Sequence, residues 1–228
     1  MYIKFIKRLI DLFISVLTII FIFPLLILVA IILKFTGEGE IFYFQERVKK
    51  NMNIFKIIKF ATMLKNSPNI GDKLYTAEND ERVLSVGKIL RKTKINELPQ
   101  IFNIIKGDMS VVGPRPLALE TFRLYSEPGI KKISSIKPGL TGLSSIFFAN
   151  EDKLMKNESN IEEFYKTEIS PVKEKLELYY IEHLSILIDI KIIVCTFLKI
   201  IGISNKLLII FFPDIKKILK DKKLFYTN

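Results

Sequence analysis

The fold class this sequence predicts is α+β, mainly helical, with the chain held to a membrane. Three observations carry the prediction. A 22-residue uncharged run, Leu12 to Leu33, lies near the N-terminus and is broken by Pro24. Short apolar stretches at 41–44 and 54–60 read as strands or helix ends. Apolar residues then recur at helical spacing within 97–106 and 186–200.

Composition narrows the class further. The 228 residues are 49% hydrophobic and 26% charged, so apolar residues are concentrated in blocks and a disordered chain is excluded. A single Cys (Cys195) and a single His (His183) exclude an intrachain disulfide and argue against a Cys/His zinc cluster and a Cys–His nucleophile pair. The net charge of +11 suits polyanionic partners: nucleic acid, anionic lipid or phosphorylated substrates.

The apolar run decides among these partners. As a helix its 22 residues would extend about 33 Å, one bilayer core. It is longer than a signal-peptide core, and no small-residue cleavage site follows it. Pro24 removes a helical hydrogen bond in the middle of the run. Both flanks are basic: Lys4, Lys7 and Arg8 before it, Lys34, Arg47, Lys49, Lys50, Lys56 and Lys59 after it. Positive flanks hold both ends on one side of the membrane. A re-entrant helix that bends near Pro24 and returns meets both demands and is preferred to a spanning helix with a tolerated kink.

This division places the membrane helix in 1–36, a globular body in 37–183 and an apolar, basic C-terminal part in 184–228. In that last part Ile186, Ile190, Ile193, Phe197 and Ile200 recur at helical spacing, and Asp214–Lys223 adds five lysines. The segment reads as interfacial helices with snorkelling lysines, or as a helix buried on the body. Within the body, 79–91 is polar and then amphipathic, and 149–175 reads as a solvated helix or loop. His183 and Tyr179-Tyr180 read as structural, and Cys195 as packing or lipid-facing.

The centre of the chain holds the candidate site. Asn96 is a good N-cap for a helix over 97–106, Glu97 falls in its first turn, and Pro99 is tolerated there. Leu98, Ile101, Phe102 and Ile105 form its apolar face, and Gly107 can end it. The free N–H groups at its start, with Arg91, Lys92 and Lys94 just upstream, suit phosphate or a metal–phosphate complex. In Gly113-Pro114-Arg115-Pro116 the flanking prolines stiffen Arg115, which fits bidentate phosphate contact or a rigid turn.

These motifs, taken in order, resemble the bacterial sugar transferases, the monotopic polyprenyl-phosphate phosphoglycosyl transferases. The resemblance runs from Lys7-Arg8…Asp11 and Pro24 through Ile41–Arg47, Phe55–Phe60, Thr62-Met63 and Val86–Arg91. It continues with Glu97–Gln100, Lys106–Ser110, Gly113–Pro116 and Lys137–Gly142, and closes at Tyr179-Tyr180 and Asp189–Lys191. It implies a compact, largely helical catalytic body with small β elements on the cytoplasmic face of the bacterial inner membrane. It also implies transfer of a phospho-sugar from a UDP-sugar to undecaprenyl phosphate, with release of UMP and a requirement for Mg²⁺. Expected partners are those two substrates and membrane lipids, with a homodimer left open and no nucleic acid. Arg91, Arg115, Lys59 and Arg47 are the expected phosphate ligands, and Glu97 and Asn96 the catalytic and Mg²⁺-binding pair.

One departure falls on the decisive residue. Such enzymes use an Asp-Glu pair in which Asp attacks the sugar-bearing phosphate. Here the pair is Asn96-Glu97, and an amide has no anionic oxygen. Three readings follow. Glu97 or another carboxylate attacks, with Asp108, Glu120, Glu151 and Asp152 as candidates. The lipid phosphate attacks directly while Glu97 positions Mg²⁺. Or the chain is a catalytically silent membrane scaffold. Two softer departures are Ala61, where a basic residue is usual, and Leu143–Phe148 after Thr141-Gly142, a loop suited to sugar selection.

Overall fold

The computed structural model describes residues 5–67, 80–155, 158, 160–205 and 209–220. Lys4, Asn79, Lys222, Lys223 and the Asp152 side chain, all named above, lie outside the described residues.

Helix α1 (Lys7–Phe35) is one 29-residue element, about 43 Å long, and it contains Pro24. It is the one helix among the described residues that is long and apolar enough to cross a membrane. One face carries Lys7, Asp11, Ser15, Leu26, Val29 and Leu33, all buried. The opposite face carries Leu9, Phe13, Ile20, Phe21, Leu28 and Ile31, all exposed, and Phe5 and Phe35 project at the two ends beyond this stripe. The two halves of the buried face differ in chemistry. Near the N-terminus Lys7 pairs with Asp189, and Arg8 donates to the carbonyls of Ile104 and Ile105 at 2.6 and 2.8 Å. Asp11 accepts from the Ser110 hydroxyl and the Val111 N–H. Near the C-terminus Leu26, Val29 and Leu33 pack on Phe60 and Leu90.

The apolar stretches after α1 form an antiparallel hairpin of β1 (Phe42–Val48) and β2 (Ile54–Phe60), in register Tyr43↔Lys59 and Arg47↔Phe55. After it come α2 (Ser85–Lys92), a 3-10 helix (Ile95–Gln100) and α3 (Ile101–Lys106). The free edge of β2 is closed by a side chain. Asn103 accepts from the Ile58 N–H at 3.0 Å and donates to the Lys56 carbonyl at 2.9 Å. This corrects the apolar face assigned to α3: Ile101, Asn103 and Ile104 are buried, while Phe102 is exposed. Gly107 ends α3 at φ +94°, as its position in the sequence predicts.

A short parallel pair, β3 (Ser110–Val112) and β4 (Gly139–Thr141), lies under α1. Three glycines let backbones cross there. A Cβ on Gly139 would stand 2.1 Å from the Gly113 nitrogen, and one on Gly142 would stand 2.2 Å from the Gly113 oxygen. The Gly113 and Lys137–Gly142 motifs therefore meet as one backbone crossing. Between these strands lie α4 (Leu119–Phe122) and α5 (Glu127–Ile133).

The main core gathers on α6 (Leu143–Phe147), α7 (Glu151–Met155), α8 (Ile161–Phe164), a π-helical turn (Tyr165–Ile169) and α9 (Ser170–Glu182). Met155, Tyr165, Ile169 and Val172 are buried, so 149–175 contributes to the core rather than forming only a solvated face. Helix α10 (Ile186–Ile200) combines both readings of its sequence. Asp189, Ile192 and Cys195 are buried on the body, and Ile186, Ile190, Phe197 and Ile200 are exposed on the other face. Phe212, Ile215 and Leu219 of the stretch around α11 (Ile215–Lys220) also enter the core. His183 stacks on Tyr179 at the end of α9, and Tyr180 is buried, so both are structural.

Candidate functional site

Five elements bring the expected residues to one place. Strand alternation puts Arg47 and Lys59 on the same face of the hairpin, because Lys59 lies opposite Tyr43, two pleats from Arg47. Helix α2 supplies Arg91, the 3-10 helix supplies Asn96 and Glu97, and the turn after β3 supplies Arg115. Lys59, Arg91 and Glu97 each neighbour in sequence a residue packed against the C-terminal half of α1: Phe60, Leu90 and Leu98. The site is therefore built at the foot of the apolar helix.

The local backbone differs from the helix start predicted. Lys94, in the left-handed region at φ 59°, precedes the 3-10 helix, and the Glu97 N–H bonds the Lys94 carbonyl at 3.1 Å. Asn96 therefore does not cap a helix. It lies inside the 3-10 turn, and its Oδ1 is buried with no hydrogen-bond partner. A left-handed non-glycine residue beside the candidate site is a strained conformation held by its surroundings. The Lys94 ammonium donates to the Ala149 carbonyl at 3.4 Å, tying this turn to the loop before α7.

Charge is concentrated around Glu97. The Arg115 guanidinium stands 3.5 Å from Glu97 Oε1 and also reaches Ser145 Oγ at 3.4 Å. Burial pushes the Glu97 carboxyl up, but Arg115, Lys59 and Lys94 outweigh it and bring it down to about 2. Glu97 is thus ionised at neutral pH. Burial, together with the charges of Arg47, Arg115 and Arg91, pushes Lys59 down to about 7 against the pull of Glu97. Burial and then Arg115 bring Arg47 down to about 10. Glu97 in turn raises Arg115. Arg115, Lys59 and Lys94 bear on the one carboxylate, with Arg47 and Arg91 close by, an arrangement suited to a multiply charged anion.

The other carboxylates named from the sequence separate. Glu151 is paired with the buried Lys173 and lies within electrostatic reach of Arg115, so it borders the site. Asp108 is engaged by Lys49 and Lys106 at the far end of α3, and Glu120 is exposed on α4. Among the described residues no three His, Cys, Asp or Glu side chains converge to hold a metal.

Two site-bordering residues were not anticipated. Lys173 and Glu177 are both buried on α9, one turn apart, in the stripe of Ile169, Val172, Leu176 and Tyr180. Glu177 Oε1 accepts from the Arg115 N–H at 3.0 Å and from the Ser144 hydroxyl. Charged residues at core positions of a helix were the available signal.

The site thus sets a cluster of basic side chains and one ionised carboxylate beside an exposed apolar helix. Sequence comparison assigns the class. The profile described as bacterial sugar transferase matches residues 2–202. ExoY, an exopolysaccharide production protein of Sinorhizobium fredii, is 33% identical over 82% of this chain and 81% of its own length. The UDP-glucose:undecaprenyl-phosphate glucose-1-phosphate transferase of Klebsiella pneumoniae is 37% identical over 88% of this chain, but over 40% of its own length. The UDP-N-acetylgalactosamine-undecaprenyl-phosphate N-acetylgalactosaminephosphotransferase of Aeromonas hydrophila is 32% identical over 83% of this chain and 42% of its own. This chain belongs to the bacterial sugar transferase family and is an enzyme of that transferase kind.

Proposed function

We propose that this chain transfers a phospho-sugar from a UDP-sugar to undecaprenyl phosphate, releasing UMP, at the cytoplasmic face of the bacterial inner membrane. The observation that carries this reading is the cluster of Arg47, Arg91, Arg115 and Glu97 about Lys59, set against the foot of α1. A soluble diphosphate and a lipid-borne phosphate can meet only at such a place. Their mutual repulsion requires fixed positive charge, which Arg47, Arg91 and Arg115 supply without reorganisation.

The arrangement of α1 supports a helix confined to one side of the bilayer. Both of its ends bond to the same body, Lys7 to Asp189 and Leu33 into the Phe60–Leu90 cluster. A helix about 43 Å long that crossed a bilayer would carry its ends to opposite faces. The exposed stripes of α1 and α10 would then lie against lipid.

Mg²⁺ fits the residues present. Asn96 Oδ1 is a buried oxygen lacking a partner, and the Glu97 carboxylate is ionised. Both are hard oxygen ligands, and Mg²⁺ takes few protein ligands alongside phosphate and water. When bound, the ion would neutralise charge on the diphosphate. The surrounding cations favour its arrival together with that diphosphate rather than alone.

Direct attack by the lipid phosphate on the sugar-bearing phosphorus is the favoured route. Asn96 has no anionic oxygen, and among the described side chains Glu97 is held by Arg115, Glu151 by Lys173, and Glu177 lies behind the Arg115 backbone. The residues of this chain bind and orient the two phosphates. Asn96 also motivates the silent-scaffold reading, and one assay separates the two. UMP release is measured in nanodiscs with Mg²⁺, undecaprenyl phosphate and a panel of UDP-sugars that includes glucose and N-acetylgalactosamine donors. Turnover by the native protein, lost in Glu97→Gln, is expected. Silence of the native protein with turnover in Asn96→Asp would establish the scaffold reading.

A further inference from the structure

The geometry points to Glu177 as a positioning residue for the phosphate site, setting the direction of the Arg115 guanidinium through the Arg115 backbone. This inference rests on the reading of Arg115 as a diphosphate ligand.

The local chemistry makes Arg115 depend on an outside acceptor. Pro114 and Pro116 have no N–H, so within Pro-Arg-Pro the Arg115 N–H is the sole backbone donor. A buried donor without an acceptor is costly. Glu177 Oε1 accepts it at 3.0 Å, from a helix 62 residues further along the chain. The same oxygen accepts the hydroxyl of Ser144, whose neighbour Ser145 receives the Arg115 guanidinium at 3.4 Å. One carboxylate oxygen therefore joins the backbone of Arg115 to the segment that its own side chain contacts.

Stability alone gives no reason for a carboxylate here. Glu177 is 1% exposed and makes no salt bridge among the described residues, where the nearby Lys173 pairs with Glu151. Its Oε2 is buried without a partner. Burying an unpaired carboxylate disfavours the folded state, and an apolar side chain would fill the same space at less cost. What the carboxylate supplies is a rigid acceptor. Helix α9 is itself fixed beneath the crossing by Tyr180, whose hydroxyl bonds the Val112 carbonyl at 3.2 Å and Asp189 at 2.8 Å.

The test is calorimetric binding of UDP with Mg²⁺ to the full chain in nanodiscs, independent of turnover. Glu177→Ala is expected to weaken UDP about tenfold in the native background, and by less than about twofold in Arg115→Ala. Glu177→Gln keeps an acceptor oxygen in place and is expected within about threefold of native. Glu177→Asp keeps the carboxyl group but withdraws the oxygen by one carbon–carbon bond, and is expected to lose about fivefold. These two conservative variants carry the test if the alanine variant does not fold. Equal loss from Glu177→Ala in both backgrounds would overturn the inference, as would a harmless Glu177→Asp beside a damaging Glu177→Gln. A native protein that binds no UDP would instead sink the substrate reading itself.

Discussion

The guanidinium of Arg115 stands 3.5 Å from the carboxylate of Glu97, and each holds the other in its charged form. The pair joins a turn stiffened by two prolines to a 3-10 helix entered through a left-handed lysine. Neither element has much freedom to relax if its partner is lost.

Arg115→Ala is therefore expected to lower kcat/KM about 100-fold in the UMP-release assay, the scale for removing one charged donor from a developing phosphate charge. Arg115→Lys retains the charge but not the planar fork, and is expected to recover only part of the loss. The Glu97 carboxyl should also rise in Arg115→Ala, since Arg115 is the leading cause of its depression against burial.

The anchor of α1 makes a separate prediction. Lys7 and Asp189 form a buried pair at 2.5 Å, and Tyr180 donates to the other Asp189 oxygen. Removing one partner leaves an uncompensated buried charge, and Lys7→Met is expected to cost about 3–5 kcal/mol in detergent-solubilised protein. Lys7→Met with Asp189→Asn leaves no charge stranded and preserves an acceptor for Tyr180. The thermal midpoint of the double variant should lie above that of Lys7→Met.

Glu177 gives stability a pH dependence. Burial pushes its carboxyl up to about 7, against the Ser144 hydroxyl, the Arg115 N–H and the charges of Lys173 and Arg115. Tyr125, also within its influence, remains neutral, because burial and then Glu177 raise it further. The folded state therefore holds a proton that the unfolded chain releases near its model value of 4.5. Where the folded state binds more protons, stability falls as pH rises, here between about 4.5 and 7. Glu177→Gln removes this slope. Its unfolding free energy should exceed the native one at about pH 8, by on the order of 3 kcal/mol, and not at about pH 4, as read from denaturant unfolding.

The limits of sequence reading follow from distance along the chain. The two apolar stretches at 41–44 and 54–60 were legible as strands or helix ends but their pairing was not, and the end of α3 was legible because Gly107 fits φ +94° without strain. Arg47, Lys59, Arg91, Glu97 and Arg115 were individually visible, and the structure gathers them. The N-cap assignment of Asn96 failed because the strained Lys94 starts the turn early and spends the Glu97 N–H. Glu177 and Lys173 stayed hidden because their partners, Arg115, Ser144 and Glu151, lie on other segments. No periodicity in α9 reports which loops cross above it.

The placement of α1 is open to chemical labelling. Phe5 and Phe35, at its two ends, are 70% and 85% exposed, while Cys195 is buried, so a single introduced cysteine would be the reactive one. The body bonds to both halves of the helix, and the flanking charges favour one side of the membrane. Phe5→Cys and Phe35→Cys are expected to react with a membrane-impermeant maleimide in inverted vesicles, and neither in right-side-out vesicles. Reaction of the two ends from opposite sides would require a spanning helix. In that case the contacts of the body with both Lys7 and Leu33 could not exist together at one membrane face.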